Sequence, residues 1–200
     1  MIKHRCLLVL ILSMSLLLSA CSQTGQIPEG IDPETVAAVY HENVVTKDRI
    51  EYERKVRSYY AMDAGSDADL IEEIVGGDIL LEEAERLGVA ATEEETQSFI
   101  QDQLKTYEDF PEAKAFIDEY CAAMEITFED YRADLEQTAY GTVSRQKLRD
   151  ELGRRYCQEH GLEFTKVNPP WDMAAYVDDY LEQLIAEKLE DVVYYIQVSS

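Results

Sequence analysis

Few residues in this chain have the types and spacing that catalysis requires. The histidines are His4, His41 and His160, and none has a Ser or Cys beside it in a nucleophile motif. The motifs G-x-S-x-G, H-E-x-x-H and C-x-x-C are absent, as is a glycine-rich phosphate loop. Acidic neighbours such as Glu72-Glu73 point to different sides of a helix and do not converge on a metal. We therefore predict no catalytic residues, no metal and no cofactor, and we do not expect an enzyme.

The most unusual short stretch is Gly76-Gly77-Asp78, which lies inside a segment with helical spacing of its apolar residues. A glycine in a helix interior costs roughly 1 kcal/mol relative to alanine, so two in a row need a reason. Gly77 falls on an apolar stripe, where a missing side chain would let a neighbouring helix approach, whereas the spacing explains nothing about Gly76. The stripe, spaced 4-3-4-3, is formed by Leu70, Ile74, Gly77, Leu81 and Ala84.

Residues 1–20 predict a bacterial lipoprotein signal peptide. Lys3 and Arg5 precede an apolar run that is too short for a membrane-spanning helix, which needs about 20 residues. The run ends in Leu18-Ser19-Ala20-Cys21, which resembles the lipobox at all four positions. In that family the peptidase cuts before the cysteine, so the resemblance implies lipidation of Cys21 and a place on the outer face of the cell membrane. The alternative is an ordinary secretory signal cut after Ala20.

The charge of the chain excludes one class of partner. The net charge is −23, and removing residues 1–20 takes away Lys3 and Arg5 but no acid, which leaves 16 basic and 41 acidic residues and a net charge of −25. Nucleic-acid binding relies on clustered Lys and Arg, so no nucleic acid is expected as a partner. An anionic lipid surface should also repel this chain, so we expect the acyl chain on Cys21 to provide the membrane attachment.

Two cysteines remain once Cys6 is removed with the signal peptide and Cys21 is lipidated. Cys121 lies in a segment with helical spacing and is expected to pack as a small apolar residue. An extracytoplasmic location permits a disulfide with Cys157, but two isolated cysteines give no framework spacing, and their pairing stays open.

The organisation of the chain predicts a mainly α fold with a few short strands contributed by both ends of the mature chain. Residues 21–35 are predicted to contain the lipidated cysteine and a polar tether, and residues 36–200 are predicted to form a single domain. Strands are predicted within residues 36–46, 162–167 and 192–198. Three helices are predicted with both ends: Lys47 to about Met62, about Asp67 to Leu87, and about Asp172 to Glu190. Between the second and the third, one helix is capped by Thr92 with Glu95 and another starts at Pro111. A long helix capped by Thr127 with Asp130 follows and ends at Gly161.

Tyrosine is the most abundant aromatic residue, with 13 Tyr against 5 Phe and 1 Trp. Its ring is apolar and its hydroxyl is polar, which suits surfaces that contact varied partners. Half-buried helix positions explain many of these side chains individually, and the excess as a whole favours an adhesive surface. The candidate contact residues cluster at helix ends beside breaks: Tyr59, Tyr60, Met62, Phe110, Phe128 and Tyr131.

Three segments, in this order, resemble the SurA-like N-terminal chaperone domain, which is related to domains of trigger factor and PrsA. They are VAAVYHENVVTKDRI, LIEEIVGGDILLEEAERLGVAATEEETQSFI and MEITFEDYRADLEQTAYGTVSRQKLRDEL, and they cover most of residues 36–160. The chain departs from the family at Tyr40-His41-Glu42, where a glycine is frequent in the turn. The resemblance implies a holdase that binds unfolded or partly folded secreted proteins in a cleft between helices, without nucleotide.

Some members of that family also carry a parvulin prolyl isomerase domain, whose site resembles Gly-Gly-Asp-Leu-Gly-aromatic. Here Asp78 is followed by Ile-Leu-Leu-Glu, with neither the glycine nor the aromatic residue. Predicted helices also cover nearly all of residues 47–190, which leaves no room for a parvulin domain of about 90 residues. A prolyl isomerase is therefore the least favoured hypothesis. Two remain: a lipid-anchored holdase, and an accessory lipoprotein that binds one folded envelope partner.

Overall fold

The computed structural model describes residues 26–196, so the predicted signal peptide and the lipidation site Cys21 lie outside the described residues. The predicted mainly α fold is confirmed, with a small three-stranded sheet. The helices are α1 (Lys47–Tyr59), α2 (Asp67–Arg86), α3 (Glu93–Asp109), α4 (Pro111–Met124), α5 (Phe128–Glu159) and α6 (Trp171–Lys188). The strands are β1 (Val36–Tyr40), β2 (Asn43–Thr46) and β3 (Val193–Tyr194), and short 3-10 turns cover Pro33–Thr35 and Leu189–Asp191.

The sheet joins the two ends of the described chain, as predicted. Its order is β2-β1-β3, both pairings are antiparallel, and all five residues of the central strand β1 are buried. The strand predicted over residues 162–167 is wrong, because that segment forms an irregular loop. Its β propensity is overridden by packing, since Phe164 lies against Gly153 of α5 instead of pairing with a strand.

The hairpin between β1 and β2 turns without a glycine. His41 takes a left-handed conformation, with φ of 53°, which is uncommon for a residue with a side chain. Glu82 of α2 secures the turn, because one carboxylate oxygen accepts from the Tyr40 hydroxyl at 3.0 Å and the other lies 3.1 Å from His41 Nδ1. Burial and this carboxylate raise the pKa of Tyr40, so its phenol remains a donor. Contacts with α2 thus secure a turn that contains no glycine.

Local capping sets where the helices begin. Thr92 and Glu95 form a reciprocal capping box at α3, and Thr127 and Asp130 form another at α5, as predicted. Pro111 opens α4, also as predicted. Each of these capping contacts joins residues only a few positions apart in the chain.

Helix α2 is buried on two sides. One side packs with the sheet, and the other packs against α5 and α6. The predicted stripe is therefore right at Leu70 and Ala84, but Ile74, Gly77 and Leu81 are only half-buried. The apolar residues of α2 that are most buried are Leu70, Ile71, Val75, Gly76, Ile79 and Ala84.

The two cysteines of the described chain are free and buried. Cys121 lies on α4, where burial raises the pKa of its thiol. Cys157 lies near the end of α5, and its Sγ is 3.5 Å from the Sδ of Met173 on α6. Each packs as a small apolar side chain, as predicted for Cys121.

Two side chains of α5 hold the link between α2 and α3. Ser144 is fully buried, and its hydroxyl accepts from the Ala91 N–H at 2.9 Å. Lys147 donates to the Ala90 carbonyl at 3.1 Å and to Glu95 at 2.6 Å. The start of α3 is therefore positioned by α5 as well as by its own cap.

Replacing Ser144 with alanine should lower the free energy of unfolding by about 1–2 kcal/mol, because the Ala91 N–H would lose its acceptor. Urea unfolding measures the change. Thr142→Ala removes a hydroxyl from an exposed position of the same helix and should stay within about 0.5 kcal/mol of the parent. Equal effects of the two substitutions would contradict the role given to Ser144.

Candidate functional site

Seven aromatic rings form a continuous set where α1, α3, α4 and α5 meet. Tyr107 stacks on Phe128 at 4.1 Å between centroids, Phe128 lies 6.0 Å from Tyr131, and Tyr131 lies 6.2 Å from Tyr120. Tyr120 is 5.4 Å from Tyr59. We call this set the aromatic band: Tyr59, Tyr60, Tyr107, Phe116, Tyr120, Phe128 and Tyr131.

Four of the six predicted contact residues belong to the aromatic band: Tyr59, Tyr60, Phe128 and Tyr131. Met62 and Phe110 do not. Met62 is 57% exposed in the link after α1, and Phe110 is 57% exposed as the N-cap of α4. Within the described residues, Phe110 has no ring contact with the band, because α4 turns Phe116 and Tyr120 toward α1 instead.

The sequence-based choice missed Tyr107, Phe116 and Tyr120. Phe116 and Tyr120 are four residues apart on α4, which places them on one face of the helix. The structure places this face of α4 against α1, where Tyr120 is half-buried and Phe116 stays 47% exposed. The four-residue spacing is visible in the sequence, but it is the same for a buried helix face and for a partly exposed one.

The aromatic band is held in one arrangement by a polar contact at its centre. The hydroxyls of Tyr52 and Tyr120 lie 2.9 Å apart, which links α1 to α4. Burial, followed by this hydrogen bond, raises the pKa of Tyr120, and burial also raises the pKa of Tyr131. The phenols of Tyr120 and Tyr131 therefore stay uncharged at neutral pH. The band presents apolar ring surface with polar hydroxyl tips, and Tyr60 is its most exposed member at 48%.

A cleft of about 880 Å³ lies between α1 and α5, with α2 as its floor. The start of β2 and the side chain of Ile185 complete its lining. Its central residues are Arg49 and Glu53 of α1, Gly77 and Asp78 of α2, and Gly141 and Arg145 of α5.

The predicted reason for Gly77 is wrong. A methyl group at Gly77 would meet only the Arg145 Nη1 within 4 Å, at 3.6 Å, so no neighbouring helix backbone comes close there. Gly76 is the buried member of the pair, and a methyl group there would lie 3.5 Å from the Ile185 side chain. Both distances are ordinary contacts, so packing within the chain demands neither glycine. Because neither residue has a side chain, the glycine pair leaves this part of the cleft floor free of side-chain atoms.

Asp78 and Arg145 are the two charged residues of the cleft whose pKa values are shifted by burial. Burial raises the pKa of Asp78, and the positive charge of Arg145 opposes that rise. Burial likewise lowers the pKa of Arg145, and Asp78 opposes that fall. The guanidinium of Arg145 makes a long hydrogen bond, 3.4 Å, to the Thr142 hydroxyl. Arg145 therefore keeps donors that can bind carbonyl or carboxylate oxygens of a bound segment.

The aromatic band and the cleft share two helices. On α1, Tyr59 belongs to the band, Tyr52 contacts it, and Arg49 lines the cleft. On α5, Tyr131 belongs to the band and Arg145 lines the cleft. Arg145 follows Tyr131 by 14 positions, which corresponds to about 21 Å along α5. An extended segment of about six residues has that length.

Substituting Gly76 or Gly77 with alanine should raise the free energy of unfolding by roughly 0.5–1 kcal/mol, because the helix gains propensity without a clash. Urea unfolding tests each variant. Gly153→Ala is the contrasting case, since its methyl group would lie 3.1 Å from both Phe164 and Met173 and should bring a smaller gain or a loss. Destabilisation by Gly76→Ala and Gly77→Ala would show that packing requires the glycine pair.

The described residues contain neither a metal-binding cluster nor a membrane-spanning helix. Between residues 26 and 196 there is no group of three or more His, Cys, Asp or Glu side chains arranged to hold a metal ion. No helix within the same range is long and apolar enough to cross a bilayer. No family model, curated protein or solved structure matches this chain.

Proposed function

We propose that this protein is a lipid-anchored extracytoplasmic holdase that binds unfolded segments of secreted or envelope proteins. The observation that carries the proposal is the aromatic band, which exposes Tyr60 and Phe116 and shares helices α1 and α5 with the cleft. Unfolded chains expose apolar side chains and unpaired backbone groups. The band offers ring surface for the former, and Arg145 and Asp78 offer a donor and an acceptor for the latter.

The SurA-like hypothesis is supported by the order of elements. A hairpin leads into α1, and α2 is followed by Gly88 with a positive φ of 69°. The threonine-capped helices α3 and α5 come later in the chain. A holdase of this kind needs no nucleotide and no catalytic group. The strong negative charge would also keep a chaperone with exposed rings soluble.

The soluble domain from Ser22 onward should suppress aggregation of an unfolded secreted protein at several-fold molar excess, measured by light scattering. The double variant Tyr60→Ser with Phe116→Ser should lose most of this activity, because it removes the two most exposed rings of the band. Both side chains are about half exposed, so the fold should tolerate the change.

The matched control is Trp171→Ser, which removes a more exposed aromatic side chain outside the band. It should suppress aggregation as well as the parent does. Absence of suppression by the parent protein would refute the holdase proposal, and equal loss in both variants would refute the role of the band.

An accessory lipoprotein that binds one folded partner is the second candidate. The fixed contact between the Tyr52 and Tyr120 hydroxyls favours it, because a preorganised surface suits a single complementary partner. Co-purification from the native envelope distinguishes the two: one stoichiometric partner supports the accessory role, and many unfolded clients support the holdase. A prolyl isomerase remains the least favoured candidate, and a proline-peptide assay should show no activity.

The proposed attachment is tested at Cys21. Replacing Cys21 with alanine should release the protein from the membrane or misplace it, because the thiol that receives the lipid is gone. Fractionation of cells that carry the parent or the variant measures this. Unchanged membrane retention of Cys21→Ala would contradict the lipobox assignment.

A further inference from the structure

One stripe of helix α2 faces the cleft and differs from the buried sides of the helix. Its residues recur at the spacing i, i+3, i+4 and i+7, which puts them on one face, and all four are half-buried in the cleft lining: Ile74, Gly77, Asp78 and Leu81. The stripe is about 10 Å long, the length of about three residues of extended chain. It presents one carboxylate between two aliphatic side chains, beside a position that has no side chain.

Asp78 and Arg145 are opposite charges in the cleft that do not pair. Among residues 26–196 no group donates a hydrogen bond to the Asp78 carboxylate, and Arg145 acts on it only through its charge. Arg145 has no carboxylate partner in the same range and makes one long hydrogen bond, 3.4 Å, to the Thr142 hydroxyl. The other arginine of the cleft, Arg49, is already paired with Glu53 at 2.6 Å. Two half-buried charges have therefore lost part of their hydration without gaining a partner, which favours a ligand that supplies one to each.

The charges around Asp78 favour a cationic group over an anionic one. A second hollow of about 460 Å³ adjoins the cleft, since both are lined by Asn43, Asp78 and Leu81. The lining of this hollow adds one histidine and three carboxylates, but no Lys or Arg: His41, Glu42, Glu82 and Glu85. A cation at Asp78 is therefore attracted by several carboxylates, whereas an anion in the cleft would be repelled by them.

The size and lining of the cleft fit a segment of extended peptide. Its volume of about 880 Å³ lies near the upper end of the range for ligand sites, about 300–1,000 Å³. Ile74, Leu81 and Ile185 provide apolar contacts, and the glycine pair lets a backbone approach the floor. A lysine or arginine side chain is long enough to reach one charged group while the backbone of the same residue contacts another. Such a residue can satisfy Asp78 with its cation and Arg145 with a backbone carbonyl.

We propose that the cleft selects extended segments in which a lysine or arginine stands between apolar residues, with the cation on Asp78 and a backbone carbonyl on Arg145. The proposal names the class of client segment, and it rests on the proposed holdase function in taking that segment from an unfolded client. It assigns Asp78 to a side chain of the client and Arg145 to its backbone. The glycine pair then has a functional reason, because the client backbone occupies the space that its side chains would fill.

The test uses the chain from Ser22 onward and three seven-residue peptides of alternating Val and Thr. The peptides are blocked at both ends, carry a neutral dye, and differ only in a central Lys, Gln or Glu. Fluorescence anisotropy should show the tightest binding for the Lys peptide. The Gln peptide should bind about tenfold more weakly, because it cannot form the charge-assisted hydrogen bond to Asp78, and the Glu peptide should bind more weakly still.

Two variants locate the effect in the cleft. Asp78→Asn keeps the shape of the side chain and should abolish the preference for Lys over Gln. Asp102→Asn is the matched control, since it removes the same charge from an exposed position on α3 outside the cleft lining and should keep the preference. Gly77→Leu places a side chain on the cleft floor, where a first carbon meets only Arg145, and should weaken binding of all three peptides.

Equal binding of the Lys and Gln peptides by the parent protein would overturn the proposal. Equal loss of preference in Asp78→Asn and Asp102→Asn would also overturn it, because the attraction would then reflect net charge alone. Spermidine that displaces the Lys peptide at an equal or lower concentration would do the same, since it would identify a free polyamine as the ligand. Aggregation suppression is measured separately. Suppression without peptide selection would refute this inference alone, and selective peptide binding without suppression would refute the holdase proposal alone.

Discussion

The burial of α2 on two sides is the constraint on which the rest of this structure depends. One side packs with a fully buried β1, and the other contacts α5 and α6, so two core clusters share a single helix. Even its carboxylate Glu83, only 6% exposed, is satisfied by Arg86 at 2.6 Å and by the Tyr180 hydroxyl at 2.8 Å. A buried charge without these partners would destabilise the fold by several kcal/mol.

The same arrangement creates the cleft. A helix buried on two sides has one remaining sector, and along Gly77 and Asp78 that sector forms the floor between α1 and α5. A methyl group would fit at Gly76 and at Gly77, yet both positions lack one, and each glycine lowers helix stability. The glycine pair is therefore best understood as a part of the cleft floor that is left free of side chains, at the expense of local stability.

Features that depend on near neighbours were predictable from the sequence, and those that depend on distant packing were not. The capping pairs Thr92 with Glu95 and Thr127 with Asp130 were found because they act across three residues. The position of Gly77 was misjudged because helical spacing assumes one buried face, whereas α2 has two. Tyr59, Tyr60, Phe128 and Tyr131 could be chosen from the sequence because they stand at or near helix ends, but only the packing of α4 on α1 shows that Tyr120 connects them.

The length of α5 connects the proposed client-binding surface to the rest of the fold. Its first turns contribute Phe128 and Tyr131 to the aromatic band, and its middle turns carry Arg145 at the cleft. Its last turns place Gly153 against Phe164. Because one helix of about 46 Å carries all of these contacts, the separation of the aromatic band and the cleft is set by the rise of α5 and not by a loop. A client segment that reaches both would therefore meet two surfaces at a fixed distance from each other.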